Sequence, residues 1–341
     1  MFRSTNYMYD YNNVLIVPKS TNINSRNDVN LERNIKFNNN IKWNGIPLMS
    51  SNMDTIGVYE VYKKMSTLKM ITVFHKFHTL EDYRNMNDLN PDYFMVSSGI
   101  SNNDYENLKT ILDNIQCKWI CIDVANGYME SFVNFCKKVK NDYPNHILVA
   151  GNVVTKEQVN KLIHESNVDV IKVGIGSGSA CLTRKKAGVG FPQLSAVIEC
   201  SKEAHKYNKY IIADGGITCP GDAAKAYCAG ADFVMLGGEL SGHDENPGQV
   251  REENGKKYKI FYGMSSQKAM ETHYGKMNSY RSSEGRELKV KYKGSIDTTL
   301  LDYLGGIRSC CAYINVNNIK NMKNEGEFVL VNQQLNTYLV N

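Results

Sequence analysis

The sequence predicts a (β/α)8 TIM barrel, an α/β fold with a long flap after strand eight. Short apolar segments recur eight times, and most neighbours are separated by enough chain for one helix, such as residues 130–139 and 156–164. Continuous hydrophobicity fits strands buried on both faces, and eight strand–helix units close into a barrel. The predicted strands are residues 46–49, 71–74, 93–96, 119–122, 147–150, 170–173, 210–213 and 233–236.

The residues at the end of each predicted strand support its assignment. Nearly every segment ends in Gly, Ser, Asn or Asp, which brings backbone amides and short polar groups to the carboxyl face of a barrel. Two connections are unusually long: residues 174–191, and the flap at residues 239–297 before a last helix near 298–304. Residues 37–40 are interpreted as a polar surface turn. The expectation is a single barrel domain over residues 1–341.

Composition narrows the class of partner. The net charge of +5 is mild and no segment concentrates Lys and Arg, which favours small anionic ligands and argues against nucleic acid. No apolar segment approaches the length of a membrane span, so no membrane partner is expected. The nine cysteines are odd in number and lack a C-x-x-C pair. A cytoplasmic protein with reduced, non-essential cysteines other than Cys181 is therefore predicted.

The loop after the sixth strand places one of these cysteines beside several glycines. It reads GIGSGSACLTR over residues 174–184, and alternating glycines let carbonyls and amides turn towards an ion. Backbone dipoles and Arg184 could hold Cys181 as a thiolate, and Thr183 could pass a proton. Buried cysteines are often inert, so a structural role stays open. The position at a barrel mouth favours a nucleophile.

Two further turns carry paired glycines. Asp214-Gly215-Gly216 and Gly237-Gly238 follow strands seven and eight, where barrels commonly bind phosphate. Asp214 would then be available for ribose hydroxyls, although tight turns alone would also explain the glycines. Lys76 is either a solvated lysine or an anion ligand. His75 and His78 are interpreted as packing residues, because no third metal ligand is near them in sequence.

These residues, in this order, resemble the IMP dehydrogenase/GMP reductase family. The resemblance runs from about residue 9 to residue 334 and is strongest in KVGIGSGSACLTRKKAGVGFPQLSAVIEC and DGGITCPGDAAKAYCAGADFVMLGG. These motifs are far more specific than a single glycine-rich loop. The resemblance implies NADPH-dependent reductive deamination of GMP to IMP and ammonia, in purine nucleotide salvage, through a thioimidate on cysteine.

The resemblance also implies a role for particular positions. The catalytic residues would be Cys181, Thr183 and Glu284. The substrate-binding residues would be Asp214, Gly215, Gly216, Gly237, Gly238, Gly263, Met264, Ser265, Arg281, Ser282, Ser283 and Gly285. The cofactor-binding residues for NADPH would be Ser25, Arg26, Lys76, Asp123, Val124, Ala125, Ile175, Gly176, Met264, Tyr280, Arg281, Ser309, Cys310, Cys311 and Ala312. A monovalent cation (K⁺) would contact Gly176, Gly178, Cys181 and Arg184. A homotetramer is also implied.

Two positions depart from the family pattern. The family loop usually has Pro at Ser177 and Thr at Leu182. Serine at position 177 lacks the ring with which proline fixes φ, so Ser177 is expected to loosen the loop. Leu182 removes a hydroxyl beside the nucleophile and leaves Thr183 in place. Both changes bear on cation affinity rather than on the reaction.

Alternative functions remain open at this point. An IMP dehydrogenase lacking CBS modules would share the thioimidate, but residues 280–285 resemble the reductase loop and no CBS insertion follows strand two. A non-catalytic purine nucleotide sensor would not need Cys181, Thr183 and Glu284 together. A flavin-dependent barrel would carry a yellow chromophore.

Overall fold

The computed structural model describes residue 3 and residues 7–38, 40–275 and 283–331. The strands in these residues are β1 (Val14–Ile16), β2 (Arg33–Lys36), β3 (Lys42–Gly45), β4 (Leu48–Ser50), β5 (Ile71–Val73), β6 (Phe94–Ser98), β7 (Trp119–Asp123), β8 (Ile147–Val153), β9 (Val170–Val173), β10 (Tyr210–Asp214), β11 (Phe233–Leu236), β12 (Arg251–Glu253), β13 (Lys256–Tyr262), β14 (Glu287–Lys291) and β15 (Phe328–Leu330).

The helices of the described residues complete the strand–helix alternation. They are α1 (Tyr59–Thr67), α2 (Leu80–Arg84), α3 (Asn102–Leu112), α4 (Glu130–Asp142), α5 (Lys156–Ser166), α6 (Thr183–Lys186), α7 (Gln193–His205), α8 (Pro220–Cys228), α9 (Gln267–Tyr274), α10 (Asp297–Tyr313) and α11 (Met322–Glu325).

Strands β4 to β11 form a closed parallel barrel in chain order, with β11 pairing back to β4. Each of the eight predicted strands overlaps one barrel strand, so the predicted fold class is confirmed. The first begins at Leu48 rather than at residue 46 because Pro47 has no N–H to donate to a ladder. The Pro47 carbonyl accepts from Val234 N–H at 3.0 Å, which joins this end of β4 to β11.

The amino end of the barrel is filled by the antiparallel β2–β3 hairpin. Ile35, Phe37 and Trp43 of this hairpin region pack into the core cluster formed by the inward side chains of the barrel strands. The Trp43 ring lies 6.0 Å from that of Trp119 and 5.3 Å from that of Phe233. The interpretation of residues 37–40 as a polar surface turn is therefore wrong for Phe37, which is 3% exposed. Aromatic burial closes this end.

The helix after the flap is longer than predicted and is not the last element. It extends to Tyr313, and α11 and β15 follow it. The helix continues through the pair Gly305-Gly306. Gly306 has a packing role, since it lets α8 approach closely: a Cβ there would lie 2.3 Å from Pro220 Cβ. Strand β15 then pairs with β1, which joins the two ends of the described chain.

The flap has a sheet of its own. Strands β12, β13 and β14 form an antiparallel three-stranded sheet, and α9 lies between β13 and β14. Hydrogen bonds such as Lys293 N–H to Gly242 carbonyl, at 2.9 Å, join its base to the segment after β11. No helix within the described ranges is both long and apolar enough to cross a membrane.

Candidate functional site

The loop that carries Cys181, residues 174–184, is called the cysteine loop. It leaves β9 through glycine turns that approach neighbouring backbone closely. A Cβ on Gly174 would lie 1.9 Å from the Asp214 carbonyl oxygen, and Gly176 has a φ of +77°. The chain then turns so that Cys181 N–H donates to the Gly178 carbonyl at 3.0 Å, just before α6 begins. The turn leaves the Cys181 side chain partly exposed at the carboxyl face of the barrel.

The three predicted catalytic residues meet in one chain of hydrogen bonds. The Cys181 thiol donates to Thr183 Oγ1 at 3.2 Å, and the Thr183 hydroxyl donates to Glu284 Oε2 at 2.6 Å. Glu284 comes from the flap and is positioned by its own backbone, since Leu182 N–H donates to its carbonyl at 2.6 Å. A thiol, a hydroxyl and a carboxylate in series provide a route for a proton.

Ser177 contributes a contact that a proline could not make. Its hydroxyl donates to the Asp214 carbonyl at 3.0 Å, which joins the cysteine loop to the end of β10. A Cβ on Gly215 would lie 2.5 Å from the same hydroxyl oxygen, so the two loops pack closely. The expected loosening of the loop is thus opposed by a specific hydrogen bond, which contributes about 1 kcal/mol in typical cases.

The paired glycines form the turns expected after β10 and β11. Gly215 and Gly216 both have positive φ, of 86° and 77°, a conformation that side chains with a Cβ rarely adopt. A Cβ on Gly238 would lie 2.4 Å from Ser179 Oγ, and one on Gly237 would lie 3.4 Å from Ser51 Oγ. Both turns therefore border the cysteine loop or the end of β4.

The turn after β13 brings the predicted substrate-binding residues Gly263, Met264 and Ser265 next to the cysteine loop and to Gly285. A Cβ on Gly263 would lie 3.0 Å from the Ala180 carbonyl oxygen, and Gly285 N–H donates to the Ser265 carbonyl at 3.2 Å. The Met264 sulfur accepts from Asp54 N–H at 3.3 Å, and Ser283 Oγ donates to the Gly285 carbonyl at 2.9 Å. Tyr280, Arg281 and Ser282 lie outside the described residues.

A buried lysine that the sequence analysis missed joins two predicted site residues. Lys172 Nζ donates to Asp214 Oδ2 at 2.6 Å, to Asn152 Oδ1 at 3.0 Å and to Asp123 Oδ1 at 3.4 Å. Asn152 also donates to Asp214 Oδ2 at 2.7 Å, and Asn52 donates to Asp123 Oδ2 at 2.7 Å. Burial lowers the pKa of Lys172, but the Asp123 and Asp214 carboxylates outweigh burial and hold that pKa above its usual value.

The signal for Lys172 was present in the sequence. It stands between Ile171 and Val173 in a strand buried on both faces, where a lysine needs an acidic partner. The lysine sets the orientation of both aspartates.

The predicted cofactor residues fall into two groups. At the carboxyl face, Lys76 Nζ lies 3.3 Å from Asp104 Oδ1, and Val124 N–H donates to the Gly151 carbonyl beside Asp123 at 2.9 Å. Ala125 is exposed there, and Ile175 is partly exposed on the cysteine loop. Gly176 follows Ile175 in the same loop, and Met264 lies in the turn after β13. Tyr280 and Arg281 lie outside the described residues.

The second group lies along α10. Ser25 caps the short helical turn that carries Arg26, and this turn packs against α10, which holds Ser309, Cys310, Cys311 and Ala312. Ser309 comes 12 residues after Asp297, about 18 Å along the helix axis. Barrel helices run back from the carboxyl face, so this group lies towards the amino end. Within one chain, the first predicted group thus lies at the carboxyl face and the second lies further along α10.

The residues predicted to contact a cation lie within the glycine turn and at the start of α6. The Arg184 side chain is engaged: Nη1 donates to Asp10 Oδ2 at 3.1 Å and Nη2 donates to the Phe191 carbonyl at 2.7 Å. A Cβ on Gly176 would lie 2.7 Å from Arg184 Cγ, so the arginine packs directly on the turn. Backbone carbonyls in such a turn suit a weakly hydrated cation.

The paired histidines behave as packing residues. The rings of His75 and His78 stack at 3.8 Å, and burial followed by the charge of His78 lowers the pKa of His75 to about 3. In the described ranges no cluster of three His, Cys, Asp or Glu side chains is arranged to hold a metal ion.

The cysteines other than Cys181 are expected to be reduced and dispensable, a prediction that stays to be tested. All nine are unbridged, and burial raises the pKa of Cys117 and Cys121 to about 12, which keeps these thiols protonated and unreactive. Mass spectrometry of the unreduced protein should find nine free thiols and no bound zinc. An intramolecular disulfide or stoichiometric zinc would contradict the prediction.

Comparison with known proteins gives one consistent result. The family model described as "IMP dehydrogenase / GMP reductase domain" matches residues 8–336. The chain is 50% identical to GMP reductase 1 of Mus musculus over 333 residues, which cover 96% of each chain. It is 48% identical to GMP reductase 2 of Homo sapiens over 332 residues, covering 96% of this chain and 95% of the human one. It is 47% identical to GMP reductase of Caenorhabditis elegans over 337 residues, covering 97% and 94%.

The barrel and the relatives together define the class of this protein: it is an oxidoreductase enzyme built on a (β/α)8 barrel. The matched region covers nearly all of the chain. The chain belongs to the IMP dehydrogenase/GMP reductase family.

Proposed function

We propose that this enzyme reduces GMP with NADPH to give IMP, ammonia and NADP⁺, in purine nucleotide salvage. The observation that carries the proposal is the continuous hydrogen-bond chain from the Cys181 thiol through Thr183 to Glu284. The relatives named GMP reductase support the choice of substrate. A cysteine nucleophile with a proton relay suits the displacement of a poor leaving group.

The relay supplies the proton that the leaving amino group needs. The Cys181 sulfur bonds to purine C2 and its proton passes through Thr183 to Glu284. The relay then returns this proton to the C2 nitrogen as the bond between C2 and that nitrogen breaks. Ammonia leaves, and a thioimidate joins Cys181 to the purine. NADPH supplies the hydride to C2 when bound. Breaking of the C–S bond then returns a thiolate, which takes one proton from solvent and releases IMP.

The glycine turns after β10 and β11 suit the nucleotide phosphate, because backbone amides with no Cβ in the way can approach a phosphate closely. Lys172 and Asn152 both donate to Asp214 Oδ2. Asp214 Oδ1 then serves as the acceptor for a ribose hydroxyl. Gly263, Met264, Ser265, Ser283 and Gly285 line the purine side, and Arg281 and Ser282 complete the proposed set.

NADPH is proposed to contact Lys76 and Asp123 at the carboxyl face, where one cationic and one anionic side chain fit phosphate and hydroxyl groups. The group around Ser309 lies about 18 Å along α10 from the start of that helix, towards the amino end of the barrel. We propose that a neighbouring copy in a homotetramer supplies that group. K⁺ would be held by the carbonyls of the turn at Gly176, Gly178 and Cys181.

We also propose that the enzyme works in the cytoplasm as a single barrel domain without a CBS insertion. The connection between β5 and β6 is short and holds only α2, which leaves no room for a regulatory module there.

The proposed reaction is tested by monitoring NADPH absorbance after adding GMP. Loss of NADPH that depends on GMP, with ammonia and IMP formed in equal amounts, is the expected result. Formation of NADH from IMP and NAD⁺, with no reaction of GMP, would instead identify an IMP dehydrogenase. Binding of GMP without either reaction would identify a sensor, and a bound yellow chromophore would indicate a flavin enzyme.

Replacing Lys172 by Met is expected to affect both stability and ligand binding. The substitution leaves two partly buried carboxylates without their common cationic partner, and breaking a buried ion pair typically costs about 3 kcal/mol of the free energy of unfolding. Because Asp123 and Asp214 lose their common partner, KM for GMP and for NADPH should both rise by about tenfold. Urea unfolding and steady-state kinetics measure the two effects.

Lys209→Met is the matched control. Lys209 is also buried and pairs with Asp169 at 3.0 Å, but it precedes β10 at the opposite end of the barrel. It should lower the free energy of unfolding comparably and leave both KM values unchanged. Equal rises in KM in both variants would show that Lys172 acts only through the stability of the fold.

A further inference from the structure

We infer that Arg286 is a positioning residue for the cysteine loop, and that its guanidinium fixes the register in which Glu284 meets Thr183. The inference rests on the proposed function, since it deepens the role of the same site. Arg286 Nε donates to the Ser179 carbonyl at 3.1 Å, and its Nη2 donates to the same oxygen at 2.8 Å. Two donors from one rigid planar group fix the direction as well as the distance of that carbonyl.

The backbone of Arg286 holds the next carbonyl of the same loop. Arg286 N–H donates to the Ala180 carbonyl at 3.0 Å, so one residue holds two consecutive carbonyls just before the nucleophile. On the other side of Cys181, Leu182 N–H donates to the Glu284 carbonyl at 2.6 Å, and Cys181 and Gly285 form an antiparallel bridge. The cysteine loop is thus paired with the flap over three residues.

The register of this short pairing decides which way Glu284 points. Successive side chains of an extended segment alternate between faces, so a shift by one residue would turn the Glu284 carboxylate away from Thr183. Three residues of pairing give little register specificity on their own. The guanidinium of Arg286 adds two hydrogen bonds that exist only in the observed register.

The flap segment at Gly285 and Arg286 also contacts the turn after β13. A Cβ on Gly285 would lie 2.6 Å from Ser266 N, and Gly263 N–H donates to the Arg286 carbonyl at 3.2 Å. A Cβ on Gly238 would lie 2.4 Å from the hydroxyl oxygen of Ser179, the residue whose carbonyl Arg286 contacts. Arg286 therefore links the turn after β11, the cysteine loop and the turn after β13, and its side chain does so by contacting backbone rather than Glu284.

The experiment compares Arg286→Met with Arg286→Lys in the full-length enzyme. Met keeps the length of the side chain and removes every donor, whereas Lys keeps the charge but offers no planar pair of donors. We expect kcat with GMP to fall about 10²-fold in Arg286→Met with KM for GMP little changed, because a small misplacement of reacting groups has that size of effect. Arg286→Lys should recover part of the lost kcat.

A second readout does not depend on the reaction with GMP. The rate at which iodoacetamide alkylates Cys181, measured by mass spectrometry of its peptide without nucleotide, should fall about tenfold in Arg286→Met, because the thiol loses its proton acceptors. Arg251→Met, an exposed arginine on β12 of the same sheet, should match the parent in both measurements. Unchanged thermal unfolding confirms that each variant is folded.

The outcomes separate the two proposals. If kcat and the alkylation rate of Arg286→Met both equal those of the parent, or if Arg286→Lys is no better than Arg286→Met, the positioning role is wrong. If the parent does not react with GMP, the proposed function fails, and the alkylation rates still decide the role of Arg286.

Discussion

Turnover of GMP should fall by at least about 10⁴-fold when Cys181 is replaced by Ala, because a nucleophile acts as a unit with its proton relay. Binding of GMP should change little. The glycine turns after β10 and β11, and the Asp214 carboxylate held by Lys172, are separate from the thiol and keep their backbone contacts in the variant. Steady-state kinetics gives the loss of turnover, and isothermal titration calorimetry gives the affinity for GMP.

Cys117→Ala is the matched control for this variant. Cys117 lies just before β7, at the end of the barrel away from the Cys181 loop, and its thiol donates to the Trp119 carbonyl at 3.8 Å. Its removal should leave kcat unchanged. If Cys181→Ala keeps about a tenth of the parent's kcat, the covalent mechanism is wrong, since covalent catalysis contributes far more than this.

Replacing Glu284 by Gln should slow only one half of the reaction. The amide cannot pass a proton through Thr183 to the departing C2 nitrogen, so release of ammonia and formation of the thioimidate from GMP should slow about 10²-fold. Hydride transfer does not need that proton. Mixing the variant with IMP and NADP⁺ enters the same thioimidate from the other side, and the formation of NADPH there should stay close to the parent's rate.

The competing view is that Glu284 only orders its loop. The structure directs its Oε2 to Thr183, and Arg286 donates to the Ser179 carbonyl instead of to Glu284. If the glutamate were only structural, both half-reactions and GMP binding would weaken together in Glu284→Gln. Loss of hydride transfer with normal ammonia release would contradict the assigned role outright. Glu287→Gln, exposed at the start of β14, serves as the control for a charge change in the same segment of the flap.

The barrel was predictable because its eight strands are continuous apolar segments, a pattern that needs no long-range information. The β2–β3 hairpin that fills the amino end of the barrel could not be predicted from the sequence. Strand β2 reads Arg33-Asn34-Ile35-Lys36, and only one of these four residues is apolar. A single inward side chain leaves no detectable alternation, so the burial of Phe37 and Trp43 depends on contacts with strands far away in sequence.

In the candidate site, too, contacts between neighbouring residues could be predicted from the sequence, whereas contacts between distant residues could not. Cys181 and Thr183 are two residues apart, and their proximity could be inferred from the loop itself. Glu284 lies 101 residues from Thr183, and only the resemblance to a family pointed to it. The link between Lys172 and both aspartates joins three barrel strands, and the order of strands alone does not orient side chains. Local pattern gives the elements, and packing between distant elements gives their contacts.

The aromatic filling of the amino end by the β2–β3 hairpin also bears on how ligands move. Phe37, Trp43 and Trp119 occupy the axis of the barrel there, so a molecule bound beside Cys181 has to arrive and depart across the carboxyl face. The nucleotide and the dinucleotide of the proposed reaction would therefore share the carboxyl face as their entrance. With one shared entrance, the order in which ligands bind and products leave affects the turnover rate, and a slowly released product will delay binding of the next substrate.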